Sequence, residues 1–186
     1  MKERQGWIIK MSSHTLKLNK QDEYYTPECA VLPIIKFLKP GSTILCPFDT
    51  EDSNFVKVFK EQGFNVLHSH ISEGKNFFKI RKIRTKVDYI ISNPPYSKKT
   101  EVFEKLFELD IPFAMLINTL GLFDSNKRFS YFEDKNIGLL YLYPRVPYFF
   151  YKDGVRKQGG GVFQSAYLCY NILPKDLILE RIKVKD

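Results

Sequence analysis

The sequence predicts an α/β fold, a mainly parallel sheet with helices on both faces and a C-terminal antiparallel strand pair. Three observations carry this expectation. Short apolar, β-branched runs alternate with amphipathic segments of helical period, which is the pattern of βαβ units. Two late apolar runs, 139–143 and 162–172, are separated by Tyr151-Lys152-Asp153-Gly154 and Gly159-Gly160-Gly161, and read as an antiparallel pair with a long, flexible, basic connection. The chain has 186 residues, 44% hydrophobic and 15% aromatic, which excludes a disordered polymer and suffices for one core covered on both sides.

The elements follow in order. Residues 1–20 read as a polar arm, and 21–186 as a single domain without repeat or linker. Thr26 and Pro27 open an amphipathic helix holding Ala30, Val31, Ile34, Ile35 and Leu38, with Thr26 as cap and Pro27 at the first helical position. After the Pro40-Gly41 turn, 43–48 is the first strand. Residues 52–62 form a helix stopped by Gly63, and 64–70 a second strand. Residues 87–92 are the next strand, 99–109 a helix burying Val102, Phe103, Leu106, Phe107 and Leu109, and 112–118 another strand.

Composition narrows the function classes. No apolar run approaches the ~20 residues of a membrane span, and the arm lacks the apolar centre of a signal peptide. Cys29, Cys46 and Cys169 are odd in number, far apart and without metal-ligand spacing, so no metal is expected and a reducing, cytoplasmic setting fits. Lys and Arg outnumber Asp and Glu by 29 to 21, a net charge of +8 that suits a polyanionic partner.

The most specific local feature is Asn93-Pro94-Pro95-Tyr96, directly after the strand-like 87–92. Two prolines forbid both ladder and helix, so the chain leaves the strand in a rigid, extended turn. That turn presents one side-chain amide, prolyl carbonyls and one ring, a set suited to an exocyclic amino group on a flat substrate. Loops at strand carboxyl ends are where open α/β sheets bind ligands.

Asn-Pro-Pro-Tyr resembles the catalytic signature of the S-adenosylmethionine-dependent amino-methyltransferases. The stretch 22–174 is similar to short N6-adenine DNA methyltransferases of phages and prophages. The resemblance implies a Rossmann-like class I methyltransferase, with S-adenosylmethionine as cofactor and Asn93, Pro94, Pro95 and Tyr96 as the catalytic set. It also implies that Tyr25, Thr26 and Pro27 cover the cofactor. Pro47, Phe48 and Asp49 stand where the family has Asp-Pro-Phe-x-Gly-x-Gly; both glycines are missing, Asp49 is expected to take the cofactor ammonium, and Phe48 to line the pocket. Where the family grips the ribose with an acid, this chain has Ser69 and His70; His68 and His70 lack a third ligand for a metal site. Asn76 and Phe77 match the Asn-Phe that meets the cofactor adenine.

Lys98 and Lys99, after the signature, and Arg145, Lys152, Arg156 and Lys157, interleaved with Tyr148, Phe149, Phe150 and Tyr151, are the candidate nucleic-acid contacts. Three functions fit: an N6-adenine DNA methyltransferase, the same chemistry on RNA adenine or a protein glutamine amide, and a non-catalytic nucleic-acid-binding relic. Net charge favours nucleic acid over a protein amide and leaves DNA and RNA unseparated.

Overall fold

The computed structural model describes residues 24–159 and 163–184; the polar arm expected over 1–20, and Gly160 and Gly161 of the glycine run, lie outside them. One seven-stranded sheet carries the chain, in the order β2-β1-β3-β4-β8-β5-β9. Its strands are β1 (Thr43–Cys46), β2 (Asn65–His68), β3 (Tyr89–Ser92), β4 (Phe113–Asn118), β5 (Ile137–Tyr143), β8 (Ser165–Tyr170) and β9 (Leu177–Arg181). All neighbouring pairs are parallel except those made by β8, which runs antiparallel to both β4 and β5. The Rossmann-like architecture expected from sequence is therefore the one observed, including the late antiparallel pair β5–β8.

Alternation along the strands sends side chains into two cores. Ile44, Cys46, Ala114, Leu116, Tyr167 and Cys169 face α1 (Glu28–Ile35) and α2 (Asn54–Glu61). Leu45, Phe113, Met115, Ile117, Leu168 and Tyr170 face α3 (Lys99–Leu109) and α4 (Asn126–Phe132). Strands β1, β3 and β4 are apolar on both sides because both sides are covered.

Helix ends follow local chemistry. The Ser53 hydroxyl accepts from the Val56 amide at 3.3 Å and starts α2, and Gly63, at φ 81°, turns the chain towards β2. Helix α3 has the bounds expected from its apolar period and stops at Asp110 in the left-handed region. At α1 the expectation needs correction: the cap is Pro27, with no side-chain cap bond. Thr26 sits one residue too early to cap, and its hydroxyl is used elsewhere.

The connection between β5 and β8 also differs from expectation. It contains a hairpin, β6 (Phe149–Lys152) and β7 (Val155–Gln158), paired antiparallel around Asp153-Gly154. Both turn residues have positive φ (53° and 73°), the two-residue geometry that Asp-Gly favours because its twist matches the strands. The hairpin is tied to the body by a two-residue bridge: the Tyr25 amide donates to the Phe149 carbonyl at 2.8 Å, and the Phe149 amide donates back at 3.3 Å. Strand β9, at the sheet edge, and helix α4 have no counterpart in the sequence-based expectation. No helix among the described residues is long and apolar enough to cross a membrane.

Candidate active site

The chain leaves β1 towards β2 on one side of the sheet and returns to β3 on the other, so β1 and β3 flank a topological switch point. In open α/β sheets the crevice beyond the strands' carboxyl ends at that point binds ligands. Pro47-Phe48-Asp49 follows β1, Ser69-His70 follows β2, and Asn93-Pro94-Pro95-Tyr96 follows β3. The fold thus brings together segments far apart in sequence. A direct bond joins two of them: the Ser92 hydroxyl donates to Asp49 Oδ2 at 2.5 Å.

Asp49 is only 8% exposed. Burial pushes its carboxyl up to about 6, against the opposing pull of hydroxyl bonds from Ser92 and Ser53 and of the His70 and His68 charges. Its backbone is fixed as well, because the Asp49 amide donates to the Ser69 carbonyl at 3.2 Å and the Ser69 amide to the Cys46 carbonyl at 3.1 Å. The Ser69 hydroxyl donates to the Pro47 carbonyl at 3.3 Å, so Ser69 holds the turn together.

Asn93 is held from one side. Its Nδ2 donates to Thr26 Oγ1 at 3.2 Å, while its Oδ1 is buried without any hydrogen-bond partner among the described residues. Thr26 is itself pinned, with its carbonyl accepting from Asn54 Nδ2 at 2.8 Å. The Pro95 carbonyl accepts from the Lys98 amide at 3.0 Å, closing the signature into a short 3-10 turn over Tyr96–Lys98.

Tyr96 is half-buried, and its hydroxyl donates to the Tyr148 hydroxyl at 3.2 Å. Tyr148 lies 3.0 Å from the Ser165 hydroxyl, both deeply buried. Burial, and the neighbouring Tyr148, hold the Tyr96 phenol well above its usual value, so it stays neutral. The Phe163 ring meets the Tyr96 ring edge-on at 5.8 Å. Lys99 lies 5.8 Å from the Tyr96 ring centre and donates to the Asn118 and Leu120 carbonyls, each at 3.1 Å. Burial lowers its ammonium.

An open cleft of about 1540 Å³ is lined by Tyr25, Thr26, Pro27, Phe48, Asp49 and His70, six of the expected cofactor residues. Asn93 reaches this wall through Thr26. His70 Nδ1 accepts from the Ser72 amide at 3.2 Å and caps a short 3-10 turn, Ile71–Glu73. Asn76 and Phe77 are placed differently. Asn76 Oδ1 accepts from the Phe78 amide at 3.0 Å as the cap of a second 3-10 turn, Phe77–Lys79. Phe77 is 2% exposed and lies beneath Phe48, with ring centres 5.2 Å apart.

The hairpin divides the candidate basic residues. Cross-strand partners share a face, so Phe149 with Gln158 and Tyr151 with Arg156 form one side, and Phe150 with Lys157 and Lys152 with Val155 the other. The first side lines the cleft. Lys152 and Lys157 therefore point away from it, exposed. Lys98 is exposed near the signature, its ammonium 5.2 Å from the Phe78 ring centre, and Arg145 lies exposed ahead of the hairpin.

No protein-family model matches the sequence, and no curated protein matches it. Several solved structures share its outline. TrmN from Thermus thermophilus is 16% identical over 77% of this chain and 47% of its own, with a TM-score of 0.43, so this chain spans about half the length of TrmN. Precorrin-6y C5,15-methyltransferase from Geobacter metallireducens is 11% identical over 81% of this chain and 94% of its own, with a TM-score of 0.47. A TehB-like SAM-dependent methyltransferase from Corynebacterium glutamicum is 11% identical over 78% and 87%, with a TM-score of 0.44. At these scores the likeness is one of general chain trace.

Three couplings of the site had no signal in the sequence. Ser92 is the last residue of an apolar strand, Asn54 resembles any polar residue of a first helical turn, and Tyr148 sits in an aromatic run. Each matters through a partner at least 28 positions away, which no local pattern discloses.

Proposed function

We propose that this chain is an S-adenosylmethionine-dependent methyltransferase modifying the exocyclic N6 amino group of adenine in DNA. The observation that carries the reading is the Asn93 Oδ1 atom, buried and without a partner among the described residues while Nδ2 is held by Thr26. Leaving a buried acceptor unmade costs about 1–3 kcal/mol, and an amino-group donor at the carboxyl end of β3 would satisfy it.

The residues around the cleft fit the cofactor. Asp49 offers a recessed carboxylate for an ammonium, Phe48 an apolar wall, and Tyr25-Thr26-Pro27 a cover fixed by Asn54 and by the bridge to Phe149. The backbone path of this turn does not itself call for the missing family glycines, because no residue of 47–53 has positive φ. Glycine's freedom is not needed in a turn built without left-handed residues. When bound, S-adenosylmethionine supplies an electrophilic methyl group on a sulfonium centre.

The chain's own part is positioning and electrostatics. Asn93 Oδ1 and the Pro94 carbonyl accept the two hydrogens of the adenine amino group. This draws the nitrogen lone pair out of ring conjugation and towards the shape needed to attack a methyl group. Tyr96, kept neutral, offers a ring face and replaces the stacking that a flipped-out base loses. Exposed Lys98, Lys152 and Lys157 supply positive charge for phosphates, in keeping with the +8 balance.

The test is transfer of labelled methyl from S-adenosylmethionine to DNA, RNA and protein, followed by nucleoside digestion. N6-methyladenine in DNA is the expected product. Label in RNA alone, or on a glutamine amide, would move the substrate while keeping the chemistry. Failure to bind the cofactor in calorimetry would leave only a non-catalytic binder.

A further inference from the structure

Arg156 was expected to touch phosphates beside Lys157, but the hairpin register separates the two. Arg156 pairs across with Tyr151 on the side that lines the cleft, and Lys157 pairs with Phe150 on the other. Its guanidinium lies over the Phe149 ring, 3.9 Å from the centre. Phe149 cannot drift, because it is 8% exposed, bridged to Tyr25 through both backbone bonds, and stacked on the Tyr25 ring at 5.4 Å. An Arg side chain normally loses much freedom on binding, and a stacked guanidinium is held in place beforehand.

Among the described residues no carboxylate pairs with Arg156. The same cleft contains Asp49, a recessed carboxylate whose oxygen is bonded only to hydroxyl groups. Of the other cations there, Lys57 has Asp52 at 3.5 Å, and Lys183 also lines the cleft. The cleft thus offers a recessed carboxylate, with His70 and His68 near it, at one place and, at another, a guanidinium without a carboxylate partner among the described residues. A ligand satisfying both is a zwitterion, and a free amino-acid group carries the right two charges. A planar guanidinium also matches a carboxylate through two parallel bonds, which an ammonium does not.

We infer that Arg156 is a cofactor ligand: its guanidinium takes the carboxylate of the amino-acid group whose ammonium lies at Asp49. This rests on the cofactor reading above, and it makes the β6–β7 hairpin part of the cofactor site. The cover over the cofactor is then assembled from two distant segments, 24–27 and the hairpin, joined at Tyr25 and Phe149.

The experiment is calorimetric binding, without nucleic acid, of S-adenosylmethionine and of decarboxylated S-adenosylmethionine, which keeps the amine and lacks the carboxylate. Wild type, Arg156→Gln and Arg156→Lys are compared. Wild type is expected to prefer the intact cofactor by roughly 10- to 100-fold, the scale of one charge-assisted pair. Arg156→Gln should bind both ligands alike, at the wild-type affinity for the decarboxylated one, and Arg156→Lys should recover part of the preference. Undiminished preference in Arg156→Gln overturns the inference, and a flattened salt dependence of DNA binding in that variant would return Arg156 to phosphate. No binding of either ligand to wild type would instead overturn the cofactor reading itself. Loss of the stack on Phe149 should lower the thermal midpoint slightly in both variants; a purely packing role would weaken both ligands alike and leave the preference between them unchanged, which refutes the role as a ligand.

Discussion

Thr26 Oγ1 accepts a hydrogen bond from Asn93 Nδ2 at 3.2 Å, across 67 positions of sequence. The bond decides which way the Asn93 amide faces. With Nδ2 committed to Thr26, Oδ1 remains as an acceptor without a partner among the described residues. One hydroxyl on the cleft wall therefore sets which atom of the Asn93 amide is left to accept.

The first prediction follows from that bond. If Asn93 Oδ1 takes the substrate amino group as proposed, Asn93→Ala should lower kcat by on the order of 10²-fold or more, since such an acceptor acts mainly in the transition state. Thr26→Val keeps the shape and removes the bond, so kcat should fall by a smaller factor, about tenfold, with the fold retained. Single-turnover methyl transfer by the two variants checks this, and wild-type turnover in Asn93→Ala would rule out the mechanism.

The second prediction concerns Asp49 and pH. Its folded pKa of about 6 lies above the usual 3.8, so the ionised form is penalised in the fold. That penalty is absent below pH 4, sets in as pH rises towards 6, and is complete above it, reaching on the order of 3 kcal/mol. Asp49→Asn should therefore raise the thermal midpoint of the free protein at pH 7, with little gain at pH 4. The same variant should weaken S-adenosylmethionine. In wild type, cofactor affinity should drop about tenfold per unit as pH falls below 6, because the ammonium requires the carboxylate. Calorimetry from pH 4 to 8 measures both trends, and a flat wild-type binding profile would place the ammonium elsewhere.

A third prediction tests the hairpin's seat. A Cβ on Gly159 would stand 2.7 Å from one Phe150 ring atom and 2.8 Å from a Tyr24 ring atom. Gly159→Ala must push these rings apart, at about 1–3 kcal/mol by the usual scale of overpacking. The midpoint should fall, and cofactor affinity with it, because Phe149 and Tyr25 lose their register. A variant as stable as wild type would mean that the hairpin is loosely seated.

Much of the fold was legible because both cores follow simple periods. Helix α3 has an apolar stripe at i, i+3 and i+4, and its bounds come directly from that stripe. Strands β1, β3 and β4 are continuous apolar runs because helices cover both faces. Strand β9 was not legible: Leu177 and Leu179 point outwards from an edge, so burial does not impose the usual pattern. The hairpin was signalled by Asp153-Gly154, but Lys152, Arg156 and Lys157 made the flanks read as a solvated loop.

The candidate site divides along the same line. Its positions at strand ends, Asp49 and Asn93, were readable, because turn chemistry after a buried strand is local. Their couplings to Ser92, Asn54 and Thr26 depend on the strand order, which one sequence does not disclose. Asn76 caps a short turn and Phe77 is buried beneath Phe48, positions that their motif alone did not disclose.

The last prediction concerns the outward face of the hairpin. Lys152 and Lys157 lie on the side opposite Arg156, exposed and without carboxylate partners among the described residues. If this face meets phosphates, each lysine neutralises about one, and the slope of log affinity against log salt should flatten by roughly 0.9 per lysine on duplex DNA. Lys152→Ala with Lys157→Ala should then weaken binding about equally for unrelated sequences, because phosphate contacts carry little sequence information. Cofactor affinity should stay at the wild-type value, since neither lysine lines the cleft. A salt titration of wild type and the double variant on two unrelated duplexes measures the slope, alongside calorimetry with S-adenosylmethionine. An unchanged slope would take this face out of the nucleic-acid contact and shift the search to Lys98 beside the signature.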